Sequence, residues 1–166
     1  LGTAGGLVIG GRVVTGVGGY AGEWGHGPVI QDEYAFPCGC GQVGCVDTVG
    51  SARGMERLHR AGGGADLRSE EIVARWQAGD TAASATLALW RDLVAGHLSM
   101  VLNVVGASIV PVGGGLSRAP GLVAYLDEAV RARVLRATHA ALVVPAICGA
   151  DAGLLGAAMA GESAWG

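Results

Sequence analysis

No lysine occurs in this chain of 166 residues; all 11 basic side chains are arginine, scattered along the sequence against 14 acids, for a net charge of −3. Without a clustered basic stripe, and with a negative balance, this segment is not built as a nucleic-acid surface. Long apolar runs are missing too. Hydrophobic residues make up 51% and mean hydropathy is +0.44, yet no run approaches the roughly 20 residues that a membrane span requires. The amino terminus lacks the basic-then-apolar pattern and small-residue cleavage site of a secretory signal. No glycine loop carries Gly-Lys-Ser/Thr, which excludes a P-loop. Internal repeats and low-complexity tails are absent. An initiator methionine is lacking as well: the chain opens on Leu1-Gly2-Thr3-Ala4-Gly5-Gly6, which reads as the middle of an element, so a piece of a larger polypeptide is expected. What is present is one domain's worth of chain, long enough to bury a sizeable core.

The most informative feature is a cysteine cluster, Cys38-Gly39-Cys40-Gly41-Gln42-Val43-Gly44-Cys45, with His26 upstream. Three thiolates and one imidazole are the donor set of a closed, tetrahedral, structural Zn²⁺ site. Such a metal has no open position and organises structure without activating water. Glycines at 39, 41 and 44 allow the tight backbone path. A Cys38–Cys40 disulfide is the competing reading, although a one-residue spacing makes its geometry awkward and leaves a third thiol unpaired. His26 as an ordinary surface histidine is the other. Cys148 lies in an apolar stretch and reads as a small buried hydrophobe. A thiol-rich metal site suits a reducing compartment, so a cytoplasmic location is expected.

The rest punctuates as an α/β chain of parallel strands with covering helices. Leu7–Ile9 and Arg12–Thr15 form a hairpin about Gly10-Gly11. Residues 16–51 are an irregular, glycine-rich insert that needs the metal for order. Helices are predicted over Ala52–Arg60, ended by Gly62-Gly63-Gly64, and from a Ser69 cap to about Ala78. A long helix follows Asp80, with Leu89, Leu93, Leu98, Val101, Leu102 and Val105 as its apolar stripe; His97 on it is structural or solvent-facing. Ala107–Val112 and Ala141–Ile147 read as buried strands, with Pro111 unwelcome in the first unless the strand ends there. A helix from Pro120 to Leu135 lies between them. Asp151 caps a last helix, Ala152–Ala160, stopped by Gly161.

Two glycine loops, Gly2-Thr3-Ala4-Gly5-Gly6 and Gly113-Gly114-Gly115, offer backbone N–H groups to phosphate, although a tight structural turn explains either alone. Glu23 stands three residues before His26 and Asp47 two after Cys45. A metal that fixes His26 and Cys45 also aims these carboxylates, which suit the hydroxyls of a polyol. The alternative for both is a solvated surface acid.

Glu23-x-Gly-His26 followed by Cys38-x-Cys40-Gly-x-x-Gly-Cys45-x-Asp47 resembles the paired motifs of the ROK family (repressors, open reading frames and sugar kinases). The resemblance extends over essentially the whole chain. Leu1-Gly2-Thr3 with Gly5-Gly6 is similar to the family's second phosphate loop, Val112-Gly113-Gly114-Gly115-Leu116-Ser117 to its adenosine-side loop, and Asp151 to Ala158 to its closing helix. The flanks of the cysteine motif are most similar to the branch acting on N-acetylglucosamine.

The resemblance implies an actin-like ATPase, ribonuclease-H-like lobe with a zinc-stapled insert at about 16–51, one of two lobes that close over ATP, Mg²⁺ and a hexose. His26, Cys38, Cys40 and Cys45 would hold structural Zn²⁺, and Glu23, His26 and Asp47 the sugar. Gly2, Thr3, Gly5, Gly113, Gly114 and Gly115 would contact the nucleotide. The reaction would be transfer of the γ-phosphoryl group to the sugar 6-hydroxyl, with N-acetylglucosamine first and glucose or fructose next. Dimers are common in the family.

Three departures bear on activity. The family's catalytic Asp and first phosphate loop precede the segment at Leu1, and no acid here replaces the base; Asp32 and Glu33 lie in the insert without an orienting partner. The loop at Gly2-Thr3 is about two residues short. Asp47 stands where the family usually has Glu. The competing reading is the sugar-sensing part of a ROK transcriptional repressor, which shares nearly all these motifs and differs in carrying a helix-turn-helix upstream. A zinc-stabilised domain without a ligand is the third.

Overall fold

Gly10 and Gly11 take φ of +58° and +76°, the left-handed values of a two-residue hairpin turn. They join β1 (Leu7–Ile9) to β2 (Arg12–Val14) in antiparallel register, with Leu7 opposite Val14. The structure, a computed structural model, describes residues 2–165. After the hairpin the chain runs through the insert to α1 (Asp47–Gly50), then α2 (Ala52–Ala61), α3 (Ser69–Gln77) and α4 (Thr81–Val105). β3 (Val110–Val112), α5 (Leu122–Arg131), β4 (Val143–Pro145) and α6 (Ala152–Trp165) complete it. The chain is therefore mixed α/β.

β3 and β4 pair in parallel, Val110 opposite Val143, with α5 as the crossover. Both strands are shorter than their apolar runs, because each has a single partner in the described sheet. Pro111 is tolerated in β3 since the ladder is made on either side of it: Val110 donates to the Leu142 carbonyl at 2.7 Å and Ala146 to that of Val112 at 2.9 Å. Asp127 fastens α5 to this sheet. Its Oδ1 accepts from the backbone N–H groups of Leu142 and Val143, both at 2.8 Å, while Oδ2 pairs with Arg131 Nε at 2.8 Å.

The core lies where α4 crosses α2, α3 and α5. Ala83, Leu87, Trp90, Val94, Leu98 and Leu102 are buried along α4, a stripe at spacings of three and four. It meets Met55 and Leu58 of α2, Ile72 and Val73 of α3, and Leu122, Leu126 and Val130 of α5. Each fully buried side chain of this size stabilises the fold by about 1.5–3 kcal/mol. The stripe expected at Leu89, Leu93, Val101 and Val105 is the half-buried flank of this face; Leu98 and Leu102 belong to both. Trp90 and the small residues Ala83 and Ala95 shift the centre of burial, Trp90 by reaching α1, where its Nε1 donates to the Gly50 carbonyl.

The ends of the helices follow side-chain chemistry. Ser51 Oγ accepts from Gly54 N at 3.1 Å and Asp80 Oδ1 from Ala83 N at 2.8 Å, capping α2 and α4. Ser69 is not a cap: Arg68 holds that position, with its N–H donating to Glu71 Oε2 at 3.0 Å, while Ser69 is buried and donates its N–H to Glu56. The helix expected from Pro120 begins at Leu122, because Gly121 takes φ +76°. Asp151 lies in a 3₁₀ turn and α6 passes through Gly161 to Trp165, since glycine weakens a helix without ending it. Cys148 is exposed, contrary to its apolar neighbourhood.

Candidate functional site

Within the insert, glycines set the path. Cys38 N–H donates to the Gln42 carbonyl at 2.8 Å and Gly41 N–H to that of Cys38 at 3.0 Å, with Gly41 at φ +90°. This turn presents Cys38 and Cys40 on one side. Gly44, at φ +83°, packs its Cα against the backbone of Ile30, so that a Cβ there would strike the Ile30 carbonyl. The close approach is locked by Ile30 N–H donating to the Gly44 carbonyl at 2.9 Å and Gly44 N–H to that of Phe36 at 3.0 Å. Cys45 then sits at the foot of the loop, fully buried.

The four predicted metal ligands converge. Their donor atoms all lie within 4.8 Å of one another, and the four cysteines are free thiols. With Zn–S near 2.3 Å and Zn–N near 2.05 Å, a regular tetrahedron has S–S edges of about 3.8 Å and S–N edges of about 3.6 Å. Cys40 Sγ lies 3.7 Å from Cys45 Sγ and Cys38 Sγ 3.6 Å from His26 Nδ1. These two pairs stand at tetrahedral-edge separations, and the remaining donors fall within 4.8 Å. Gly27 N–H donates to Cys45 Sγ at 3.3 Å and the Gln42 side-chain amide lies 3.7 Å from Cys40 Sγ. Such donors stabilise thiolate charge; Gln42 is a contributor that the cysteine spacing alone does not reveal.

Cys40 and Cys45 differ in environment. A hydrogen bond from the Gln42 backbone lowers Cys40 to about 6, whereas burial pushes Cys45 up to about 11. At neutral pH these preferences favour a thiolate on the exposed side of the cluster and a thiol on its buried side. A bound dication reverses the second preference by its own charge.

The nitrogen of His26 that faces the thiols is Nδ1, 3.6 Å from Cys38 Sγ, which leaves Nε2 directed to Glu23 Oε2 at 3.6 Å. A carboxylate on the far edge of a ligating imidazole fixes the ring's orientation, and the structure brings Glu23 and His26 together as the sequence predicts. Asp47 approaches from the other side. It opens α1, its N–H donates to the Gly25 carbonyl at 2.9 Å, and its Oδ2 lies 3.9 Å from Cys38 Sγ. Beside it is a cleft of about 180 Å³, lined by Gly2, Cys38, Asp47, Ser51, Arg53 and Arg57 among others.

The glycine loop at the start of the chain lies against this centre. Thr3 N–H donates to Asp47 Oδ1 at 2.5 Å, and Gly2 is packed so closely on the same carboxylate that a Cβ would collide with it. Thr3 Oγ1 is buried without a hydrogen-bond partner among the described residues, against Gly50. Gly5 rests on the Trp24 indole. In this arrangement the Thr3 N–H is engaged by Asp47 and does not point to open space. Gly113, Gly114 and Gly115 are exposed after β3, with Gly114 at φ +92° and its carbonyl accepting from Ser117 Oγ at 2.8 Å.

α4 supports the centre from beneath. His97 Nε2 lies 2.6 Å from the Trp24 carbonyl and its ring stacks on the indole at 5.9 Å, which assigns His97 a structural role. Trp90 Nε1 donates to the Gly50 carbonyl at 3.1 Å. Asp32 and Glu33 are exposed, and Asp32 Oδ1 accepts from the Tyr34 N–H at 2.9 Å, the bond of a local turn.

Comparison with known proteins agrees with this arrangement. The profile of the ROK family matches residues 1–162. An N-acetyl-D-glucosamine kinase of Salmonella newport (strain SL254) is 34% identical, over 95% of this chain and 54% of its own length. The ROK hexokinase from Thermus thermophilus superposes with a TM-score of 0.81 at 33% identity, over 96% of this chain and 53% of that one. A ROK glucokinase from Streptomyces griseus, solved with glucose and AMPPNP, gives 0.81 at 25% identity, over 96% and 57%. A ROK transcriptional regulator, a homolog of E. coli MLC protein, gives 0.65 at 24% over 81% and 36%, a likeness of fold. The chain spans about half the length of the curated relatives it matches. A match that runs through nearly every residue, across the converged His26, Cys38, Cys40 and Cys45, places the chain in the ROK family.

Proposed function

We propose that this chain is the C-terminal, zinc-stapled lobe of an ATP-dependent hexose kinase that phosphorylates the sugar 6-hydroxyl, with N-acetylglucosamine the preferred sugar and glucose or fructose next. The observation that supports it most is the Glu23–His26 pair, 3.6 Å apart, held on a donor set of tetrahedral size. The kinase names of the relatives and the sugar and nucleotide bound in the glucokinase neighbour point the same way.

In this reading His26 Nδ1 and the sulfurs of Cys38, Cys40 and Cys45 hold Zn²⁺, which supplies fixed geometry and no bond-making chemistry. Glu23 accepts hydrogen bonds from sugar hydroxyls, His26 offers its Nε2 edge, and Asp47 grips the sugar from the α1 side. Gly113 to Gly115 contact the nucleotide from their exposed loop, and Gly2, Thr3 and Gly5 reach phosphate once the Thr3 N–H is released from Asp47 Oδ1. Orienting the 6-hydroxyl in line with the γ-phosphorus of ATP·Mg²⁺ provides the rate through positioning and charge neutralisation. The base that takes the hydroxyl proton is supplied by the N-terminal lobe of the family pattern. A thiol-rich centre fits the cytoplasm; no described helix is long and apolar enough to cross a membrane. The sugar-sensing reading has the fold likeness to the regulator in its favour.

The test is a thermal-shift titration of the zinc-loaded chain with N-acetylglucosamine and glucose, beside Glu23→Gln. We expect stabilisation by N-acetylglucosamine above that by glucose. It should weaken by about tenfold or more in sugar concentration in Glu23→Gln, the loss of one charge-assisted hydrogen bond. No shift with any hexose at concentrations of about 10 mM overturns the proposal.

A further inference from the structure

The arginines that are scattered in the sequence are not scattered in the fold. Arg53, Arg57, Arg60 and Arg68, four of the chain's 11 basic residues, line one cleft of about 410 Å³ between α2 and the start of α3. We infer that this cleft is a binding site for a phosphorylated polyol of sugar size, distinct from the zinc-side sugar site and contiguous with it.

The first argument is electrostatic. Arg53, Arg57 and Arg60 follow one another at spacings of four and three along α2, so their guanidinium groups share one helix face and repel. Arg53 also stands in the first turn of α2, which contains no acidic residue. The helix dipole disfavours a cation there. Packing does not explain the arrangement, because Arg53 and Arg60 are exposed. A bound anion removes both penalties at once.

The second argument is the state of each side chain. Arg60 pairs with Asp66 at 3.1 Å and Arg68 with Glu56 at 3.6 Å. Arg57 is held in place by Nη1 donating to the Thr48 carbonyl at 3.0 Å and by its guanidinium lying 5.3 Å over the Phe36 ring. Its remaining N–H groups stay available. Arg53 has no hydrogen-bond or ion-pair partner among the described residues. One guanidinium is thus pre-positioned and its neighbour four residues away is uncommitted, the pair a phosphate's several acceptor oxygens require.

The third argument concerns the rest of the ligand. A lone phosphate needs far less than the observed volume, which falls in the range of about 300–1,000 Å³ typical of small-molecule sites. Glu56 of α2 and Ser69 and Glu70 at the start of α3 line the same cleft. Glu56 and Glu70 bring carboxylate oxygens, which accept hydrogen bonds from hydroxyls. Arg53 and Arg57 also line the neighbouring 180 Å³ cleft that holds Asp47 and Cys38. The two clefts therefore share a wall of two arginines.

The experiment is a ¹H–¹⁵N and calorimetric titration of the zinc-loaded chain with glucose 6-phosphate, inorganic phosphate and glucose. Glucose 6-phosphate should shift the amides of residues 52–60 and 68–70, with an affinity that falls between low salt and about 150 mM salt. Inorganic phosphate should bind the same amides at least about fivefold more weakly, and glucose should leave those of Arg60 and residues 68–70, which do not line the Asp47 cleft, unmoved. Arg53→Ala and Arg60→Ala should each weaken glucose 6-phosphate by about fivefold to tenfold, with Arg53→Lys restoring only part, because an ammonium lacks the planar fork. Absence of shifts at these amides, or an affinity unchanged in the double alanine variant, overturns the site. Equal affinity for inorganic phosphate and glucose 6-phosphate overturns the polyol assignment.

Discussion

Removing the metal is the perturbation whose size can be worked most directly. The Cys40–Cys45 and Cys38–His26 separations of 3.7 and 3.6 Å match tetrahedral edges, and the whole set lies within 4.8 Å, so closing on an ion takes shifts of about 1 Å at most. Little of the binding energy is then spent on reorganising the loop. Structural zinc sites of this type bind with about 10–16 kcal/mol at neutral pH. At the weak end, roughly 10 µM free zinc stabilises the folded chain by about 3 kcal/mol, from the ratio of zinc concentration to dissociation constant. For a chain of this length each kcal/mol moves the melting temperature by about 2–4 °C, so chelation should lower it by about 6 °C or more. Cys45→Ser should do the same and abolish zinc uptake, because Cys45 is the buried corner of the set. Differential scanning calorimetry with metal analysis on the same samples reads both. A change below about 2 °C on full removal of zinc would refute the reasoning that the ion staples this insert.

Three further outcomes follow from named contacts. Gly44→Ala forces a Cβ into the Ile30 carbonyl at φ +83° and should cost about 2 kcal/mol or more together with zinc affinity, while Gly39→Ala, which meets nothing within 4 Å, should be near neutral by the same calorimetry. Asp127→Ala strands the Leu142 and Val143 N–H groups and Arg131, and should cost about 3 kcal/mol in urea denaturation. Zinc binding should release protons and weaken as pH falls. At pH 7 the proton on Cys45, raised to about 11, must leave; below about 6 the proton on Cys40 must leave too. The decline therefore steepens there, by about tenfold per pH unit for each proton, which titration calorimetry in two buffers of different ionisation enthalpy measures.

What was legible in the sequence is what local chemistry dictates. The Gly10-Gly11 hairpin, the Asp80 cap and the parallel pairing of the two valine-rich strands were visible because turn residues, capping side chains and β-branched runs act over a few residues. The cysteine knot was visible because donor type and spacing constrain it. The centre of burial along α4 was not, since Trp90, Ala83 and Ala95 enter the face only through the way α5 and α2 lie across it. Cys148 shows the same gap from the other side: an apolar run buries its residues only where something covers them, and Cys148 and Ile147 are exposed. The capture of Asp47 by the Thr3 N–H spans 44 positions, and the arginine cleft joins two helices through a loop. Neither leaves a periodic trace. The sequence leaves His97 either structural or solvent-facing, because its partner, the Trp24 carbonyl, lies 73 positions away and is set by tertiary packing alone.

The central claim is that the metal holds Glu23 and His26 in the geometry that receives a sugar. It is tested most directly by measuring N-acetylglucosamine binding to the zinc-loaded chain and to the metal-free Cys40→Ser variant. Cys40 is an exposed ligand with no proposed contact to the sugar. The account predicts binding to the loaded protein and a loss of about tenfold or more in the variant. Equal affinity in the two, with zinc shown to be absent from the variant, would contradict it.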